Sequence, residues 1–500
     1  MKTIRKNRLW LWAATAFLLV GLGAMLYFLI PGLSHPSAEY WPTKRWRTST
    51  PEEQGFDSIK LAEGLQSLQE KQAGIDSLLI IRNGYLLLDA HFYPYDGSFP
   101  HNLASATKSF TTTLIAIAAA QGKLQLDQPM VGYFPDRTIA NLDDLKKSLT
   151  VRQLAGMVNG MQSGCLNGDE STLDAMRSQP DWVQAALDRK MTNPPGNQFC
   201  YDSPGMHILS AILQDTSGMA ELEFARKYLF DPLGIRDASW EADPQGYTHG
   251  WGDLHLLPED AAKLGYLWLH GGMWEGRQVV PADWVADAVK VQVSTGRKDD
   301  YGYGWWVSDD SYFCMGRGGQ NIKVYPALNA IVVTTGSVFD YAQLDPILEA
   351  AFVSPEKPLP PNSQGAASLN ALLAGLTQGP GLQPAASLPE TAKVVSGRTY
   401  ACESNPTGIT ALRFVFNDLK TAEMYMQRYG RDTIWPIGLD GKYRMAPEGP
   451  TLGFWEDSQT FILLIFDIGT LTRQVQFTGD ELQLDIPEDG ITLECRVQNP

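Results

Sequence analysis

Five hundred residues are more than one hydrophobic core ordinarily serves and predict two or three folded units. With 44% hydrophobic residues, 14 Trp, 19 Tyr and 19 Phe, the composition excludes a disordered chain, which is starved of aromatics. A net charge of −16, with no basic stripe beyond the first few residues, repels phosphate backbones and excludes nucleic acid as the expected partner.

The chain begins "MKTIRKNR", basic at Lys2, Arg5, Lys6 and Arg8, and then runs uncharged from Leu9 to Ile30. At about 1.5 Å per residue that run reaches about 33 Å, enough to cross a hydrocarbon core of about 30 Å. Residues 1–31 are therefore expected to be a basic flank and a single transmembrane helix. The positive flank puts the N-terminus in the cytoplasm and all that follows in the periplasm or outside the cell. A cleaved signal peptide is the competing reading, but the apolar run exceeds a usual signal core and no A-x-A site follows it closely.

After a polar stretch, "IDSLLIIRNGYLLLDAHF" reads as two strands joined by the Asn83-Gly84 turn. "SATKSFTTTLIAIAAAQGK" reads as an alanine-rich helix stopped at Gly122, and "TVRQLAGMV" and "DWVQAALDRK" as further helices. "YGYGWWV" is expected as one strand, and "NIKVYPALNAIVVTTGS" as two more. Strands at both ends with helices between them imply an α/β domain over residues 40–353. Residues 354–391 have the Pro, Gly, Ala and Ser texture of a linker, with a short helix at "SLNALLAGL". Over residues 392–500 the period falls to two, as in Leu412, Phe414 and Phe416, which predicts a small all-β domain. Five cysteines without a C-x-x-C exclude a zinc cluster. Cys402 and Cys495, near the two ends of the β domain, are a candidate disulfide, and Cys165 with Cys200 is a second.

Within "PHNLASATKSF", Ser105 and Lys108 stand three apart at a predicted helix start. The bland reading is a capped helix end, since serine is a favoured N-cap. A second S-x-x-K string, Ser354 to Lys357, falls in the Pro-rich segment, so the string alone says little. The chemical reading is that residues i and i+3 share a helix face, so Lys108 lies over Ser105 and can take or relay its proton. The serine N–H at a helix N-terminus then points to where an oxyanion forms.

These residues resemble the serine β-lactamase and penicillin-binding-protein superfamily, whose first motif is S-x-x-K. The resemblance extends in order through "QGKLQLDQPMVGYFP", "TVRQLAGMVNGM", "NPPGNQFCYDSPGMHILSAIL", "LFDPLGIRDASWEADPQG", "YGYGWWV" and "GRGGQNIKVYPALNAIVVTTGS", from about Asp57 to Ala351. The branch is class C-like, similar to esterases and 6-aminohexanoate-dimer-hydrolase-like enzymes. It implies a β-lactamase/transpeptidase-like fold, an antiparallel sheet flanked by helices. It also implies a serine hydrolase that cleaves a small-molecule or peptide-like ester or amide through an acyl-serine, with no metal or cofactor. By the same resemblance Ser105 is the nucleophile, Lys108 its base or proton relay, and Tyr201 the second proton-transfer residue. Ser203 holds substrate or Lys108, and the oxyanion hole is the N–H of Ser105 plus that of Gln320. Arg317, Gly318 and Gly319 occupy the third motif, where the family writes K-T-G or H-x-G. An arginine there can clamp a carboxylate but cannot donate a proton as histidine would. Two alternatives stay open: a penicillin-recognising D-Ala peptidase or β-lactamase, and a catalytically silent cell-wall-binding protein. His249 and His255, in a Gly- and Trp-rich loop, are read as structural or substrate-lining.

Overall fold

Asn83 and Gly84 both take positive φ, 52° and 74°. They turn the chain between strands Ile75–Arg82 and Tyr85–His91, which pair antiparallel. The computed structural model of the protein describes residues 40–164, 170–378, 387–405, 407–428, 430–446, 449–487 and 490–498. The central sheet has eight strands among these residues: β1 (Arg47–Thr48), β2 (Ile75–Arg82), β3 (Tyr85–His91), β4 (Asp300–Tyr301), β5 (Trp306–Val307), β6 (Tyr312–Gly316), β7 (Gln320–Tyr325) and β8 (Ala330–Gly336). Their order is β1-β3-β2-β8-β7-β6-β5-β4. Only β1 runs parallel to its neighbour. "YGYGWWV" is therefore two strands: the Gly302 N–H bonds the Trp305 carbonyl at 2.8 Å and folds the stretch into a tight hairpin.

Every residue of β2 is buried, the signature of a strand covered on both faces. On one face, helix α1 (Ser58–Glu70) brings Leu61, Leu65 and Leu68 against Ile80, Leu88 and Val332. The segment expected as a linker contributes a helix to the same core. Asn362 caps its first turn by accepting the Gly365 N–H, and Leu369 and Leu376 are buried against α1. Three more helices follow from the order of the chain: α2 (Thr107–Ala120), α3 (Ser203–Ser217) and α4 (Pro258–Leu269), with the docked segment as α5 (Ser363–Leu376). α4 covers β7 and β8, and α2 packs against α3. Apart from its last turn, α2 is buried on all sides, from Thr107 to Ala118.

The C-terminal strands are β9 (Thr399–Cys402), β10 (Ile409–Phe416), β11 (Thr421–Arg428), β12 (Arg431–Gly438), β13 (Gly449–Trp455), β14 (Thr460–Asp467), β15 (Gly469–Thr478), β16 (Glu481–Ile486) and β17 (Ile491–Val497). They are hydrogen-bonded in the order β12-β11-β10-β9-β17-β16-β15-β14-β13. A parallel contact between Gly438 and Leu452 closes the ring into a nine-stranded barrel, with the short strand Arg444–Ala446 beside β13. The period-two residues Leu412, Phe414, Phe416, Val475, Phe477, Leu482 and Leu484 fill its interior. Cys402 and Cys495 face each other on β9 and β17 and form a disulfide. Cys314 is a buried free thiol and Cys200 is disulfide-bonded, while Cys165 lies outside the described residues. The barrel and the sheet domain belong to one unit, Pro42–Pro500, joined where Leu452 and Phe466 pack against Tyr95.

The transmembrane helix needs correction. Among the described residues no helix is long and apolar enough to cross a membrane, so the structure supplies no span for the expected single-pass anchor or for the location derived from it. The run from Leu9 to Ile30 itself lies outside the described residues.

Candidate active site

Ser105 lies in a 3-10 turn, Ala104–Ala106, that leads into α2. Ala104 carries φ 45°, a left-handed conformation that costs an alanine of order 1–3 kcal/mol unless its surroundings hold it. Asn102 Oδ1 accepts the Ala104 N–H at 2.8 Å, and the Leu103 carbonyl accepts the Ala106 N–H at 3.0 Å. The end of β6 presses on the same turn. A Cβ on Gly316 would fall 2.3 Å from the Leu103 carbonyl oxygen, so only glycine lets this strand come so close.

Ser105 is not a helix cap: the N-cap position of α2 is Ala106, with no side-chain bond. One turn on, Lys108 is 2% exposed. Its Nζ donates to Ser105 Oγ at 2.8 Å and to the Trp251 carbonyl at 2.9 Å. The same nitrogen stands 4.6 Å from the centre of the Tyr201 ring, close enough for a cation–π contact. The hydroxyl, the amine and the aromatic ring therefore converge. By contrast, in the other S-x-x-K string, Ser354 Oγ accepts the exposed Lys357 N–H at 3.1 Å, a local turn bond.

Tyr201, Asp202 and Ser203 open α3. Asp202 occupies the N-cap position yet caps nothing, because its fully buried carboxylate is taken elsewhere. Arg189 donates to both of its oxygens, at 2.5 and 3.0 Å, and Asn159 Nδ2 donates at 2.7 Å. Ser163 Oγ holds the Tyr201 carbonyl at 2.9 Å, and the Tyr201 ring stacks on Trp306. Ser203 Oγ bonds Glu170 Oε1 at 3.1 Å instead of Lys108. Burial raises the Glu170 carboxyl above its ordinary range, against the pull of the Lys108 charge and the Ser203 bond.

Arg317, Gly318 and Gly319 form the turn between β6 and β7, with φ 88° and 104° at the glycines. Arg317 is exposed. Gln320 is buried, its side-chain amide donating to the carbonyls of Arg317 (3.2 Å) and Gly336 (2.6 Å). Gly316, one residue before the third motif, is what brings this hairpin to the serine turn.

The family pattern described as Beta-lactamase matches residues 65–350. This chain belongs to the beta-lactamase family. Its relatives include the 6-aminohexanoate-dimer hydrolase of Paenarthrobacter ureafaciens, 22% identical over 58% of this chain and 80% of that protein. Protein flp of Staphylococcus aureus (strain MW2) is 22% identical over 33% of this chain, which spans 34% of flp. Among solved structures, EstCE1, a hydrolase with promiscuous acyltransferase activity, superposes with TM-score 0.51 at 16% identity, covering 59% of this chain and 99% of that one. That likeness shows the fold. The chain is a member of a β-lactamase-fold serine hydrolase family.

Within this beta-lactamase-family fold, the loop that supplies the Trp251 carbonyl is built by aromatic stacking. His249 stacks on both Trp182 (5.3 Å) and Trp251 (4.3 Å), which also meet each other at 5.9 Å. Its Nδ1 pairs with Asp253 Oδ2 at 2.8 Å. Burial pushes the Asp253 carboxyl up, but the bond and charge of His249 outweigh it and hold the group below its usual range. Glu241, His249 and Asp253 form the one group among the described residues whose spacing could hold a metal. The His249–Asp253 bond accounts for two of its members without an ion. Asn102, Asn159, Glu170, Arg189 and Trp251 were absent from the sequence reading. The loop "HGWGDLH" drew notice only through its histidines, and a backbone acceptor such as the Trp251 carbonyl leaves no side-chain signature.

Proposed function

We propose that this protein cleaves an ester or amide through an acyl-enzyme on Ser105. The observation that carries the reading is the buried Lys108 Nζ, 2.8 Å from Ser105 Oγ and over the Tyr201 ring. As Oγ attacks the carbonyl carbon, its proton passes to the Lys108 amine. The oxyanion is held by the Ser105 N–H and by Gln320 N–H on the β6–β7 hairpin, which abuts the serine turn through Gly316. Tyr201 delivers a proton to the departing alcohol or amine as the bond from carbon to leaving group breaks. Water then attacks the acyl carbon, gives its proton to the same machinery, and releases the acid and the serine hydroxyl. Ser203 and the glycines at 318 and 319 would line the substrate, and Arg317 would attract a carboxylate on it.

The test is mass spectrometry after incubation with a fluorophosphonate, alongside turnover of a nitrophenyl ester panel. A single adduct on the Ser105 peptide, lost in Ser105→Ala, is expected. A folded protein that hydrolyses no ester or amide and takes no label overturns the reading and favours a silent binding protein. Capture of a fluorescent penicillin at Ser105 would assign the peptidase or β-lactamase alternative.

A further inference from the structure

The barrel reaches the surroundings of the serine through one hairpin tip. β14 and β15 turn over Asp467 and Ile468, and both residues touch the sheet domain. A Cβ on Gly318 would lie 2.5 Å from Ile468 Cγ2, so Ile468 fills the space a side chain at 318 would need. The Asp467 carbonyl accepts the Tyr95 hydroxyl at 3.1 Å, and its carboxylate stands 3.9 Å from His255 Nε2. Behind the tip, Phe466 and Leu452 are buried with Tyr95, and the Tyr443 ring packs edge-on to Phe466 at 4.6 Å. The tip is thus fixed on an apolar base and hydrogen-bonded to Tyr95.

We propose that Ile468 is a wall of the substrate cleft and the residue that sets the size of substrate this hydrolase admits. The proposal rests on the acyl-Ser105 reading. The turn Arg317–Gly319 continues the strand that abuts the serine, and a branched side chain from the barrel stands on its middle residue. A compact or chain-terminal ester or amide fits a cleft closed at that end. A bond inside a polymer, whose chain must continue past position 318, does not fit. The barrel then acts as a closure of the cleft and not as a polymer-gripping module.

The test compares kcat/KM for nitrophenyl acetate, butyrate and octanoate in the wild type, Ile468→Val, Ile468→Ala and Ile468→Trp, with fluorophosphonate labelling of Ser105 in each. The octanoate-to-acetate ratio is expected to rise at least about fivefold in Ile468→Ala, less in Ile468→Val, and to fall in Ile468→Trp. An unchanged ratio in variants still labelled at Ser105 overturns the proposal. Absence of label in the wild type overturns the acyl-serine reading instead. Should Ile468→Trp fail to fold, Ile468→Val and Ile468→Ala decide, because each only removes carbon. Tyr95→Phe, which deletes the bond to the Asp467 carbonyl, is expected to move the ratio in the same direction as Ile468→Ala.

Discussion

Lys108 directs its Nζ at a hydroxyl, a carbonyl and an aromatic face, so a polar head that burial would otherwise penalise by several kcal/mol is compensated on each side. Replacing it with methionine keeps the stem and removes all three contacts. Lys108→Met is expected to lower kcat/KM about 10²–10⁴-fold while circular dichroism stays native, and a smaller loss would remove Lys108 from the proton path. Glu170 is a second residue-scale case. Its carboxylate accepts from Ser203 and feels the Lys108 charge, and burial raises its titration above the ordinary carboxylate range. If its ionised form orders Ser203, activity falls as pH drops through that raised value. In Glu170→Gln this acid limb is expected to flatten, with kcat/KM at neutral pH about tenfold lower. An acid limb identical to that of the wild type would show that Glu170 only fills space.

At the scale of elements, the second motif is held by a buried ion pair rather than by a helix cap. Asp202 is wholly buried and Arg189 nearly so, at 10% exposure. Removing one partner leaves the other uncompensated, so Arg189→Met is expected to cost about 3–5 kcal/mol in urea unfolding. The pair Arg189→Met with Asp202→Asn should recover most of it, and failure to recover would mean Arg189 acts through other contacts. The elements also differ in how far the sequence reveals them. The Asn83-Gly84 hairpin and the interior face of the barrel are written in adjacent or alternating residues. "YGYGWWV" hid a hairpin because its alternation of glycine and aromatics fits a strand as well as a tight turn. The linker texture of residues 354–391 showed a short helix at "SLNALLAGL" but hid that α5 starts at Ser363 and docks into the core, because its leucines become a buried face only against α1.

Two features belong to the whole molecule. The disulfide between β9 and β17 spans a sequence separation of 93, so Cys402→Ser with Cys495→Ser is expected to destabilise the barrel by about 2–4 kcal/mol, read by denaturant unfolding. Beneath the junction of sheet and barrel, Asp76 lies 3.9 Å from His101, whose ring packs tilted against Tyr95, with His91, His255 and Asp467 nearby. Burial raises Asp76 to about 8 and lowers His101 to about 3. A raised carboxyl contributes stability fully present below its unfolded value of about 4 and lost as pH rises through the folded one. The depressed histidine contributes stability present above about 6.5 and lost as pH falls toward its folded value. Asp76→Asn, always neutral, is therefore expected to gain in melting temperature relative to the wild type as pH goes from 6 to 9. A difference independent of pH would mean that Asp76 is already charged at neutrality.

By itself the sequence determined what consecutive residues control: the shared helix face of Ser105 and Lys108, the period-two barrel, and the turn chemistry between them. Only the tertiary structure decided which distant segments meet around the motifs. The Trp251 carbonyl on Lys108, Glu170 on Ser203 and Ile468 against Gly318 join segments far apart in the chain, and packing alone brings each pair together. The physical reason is that backbone geometry is set by neighbours in the chain. A buried charge, by contrast, is satisfied by whatever the folded core carries to it, including a carbonyl that every residue has.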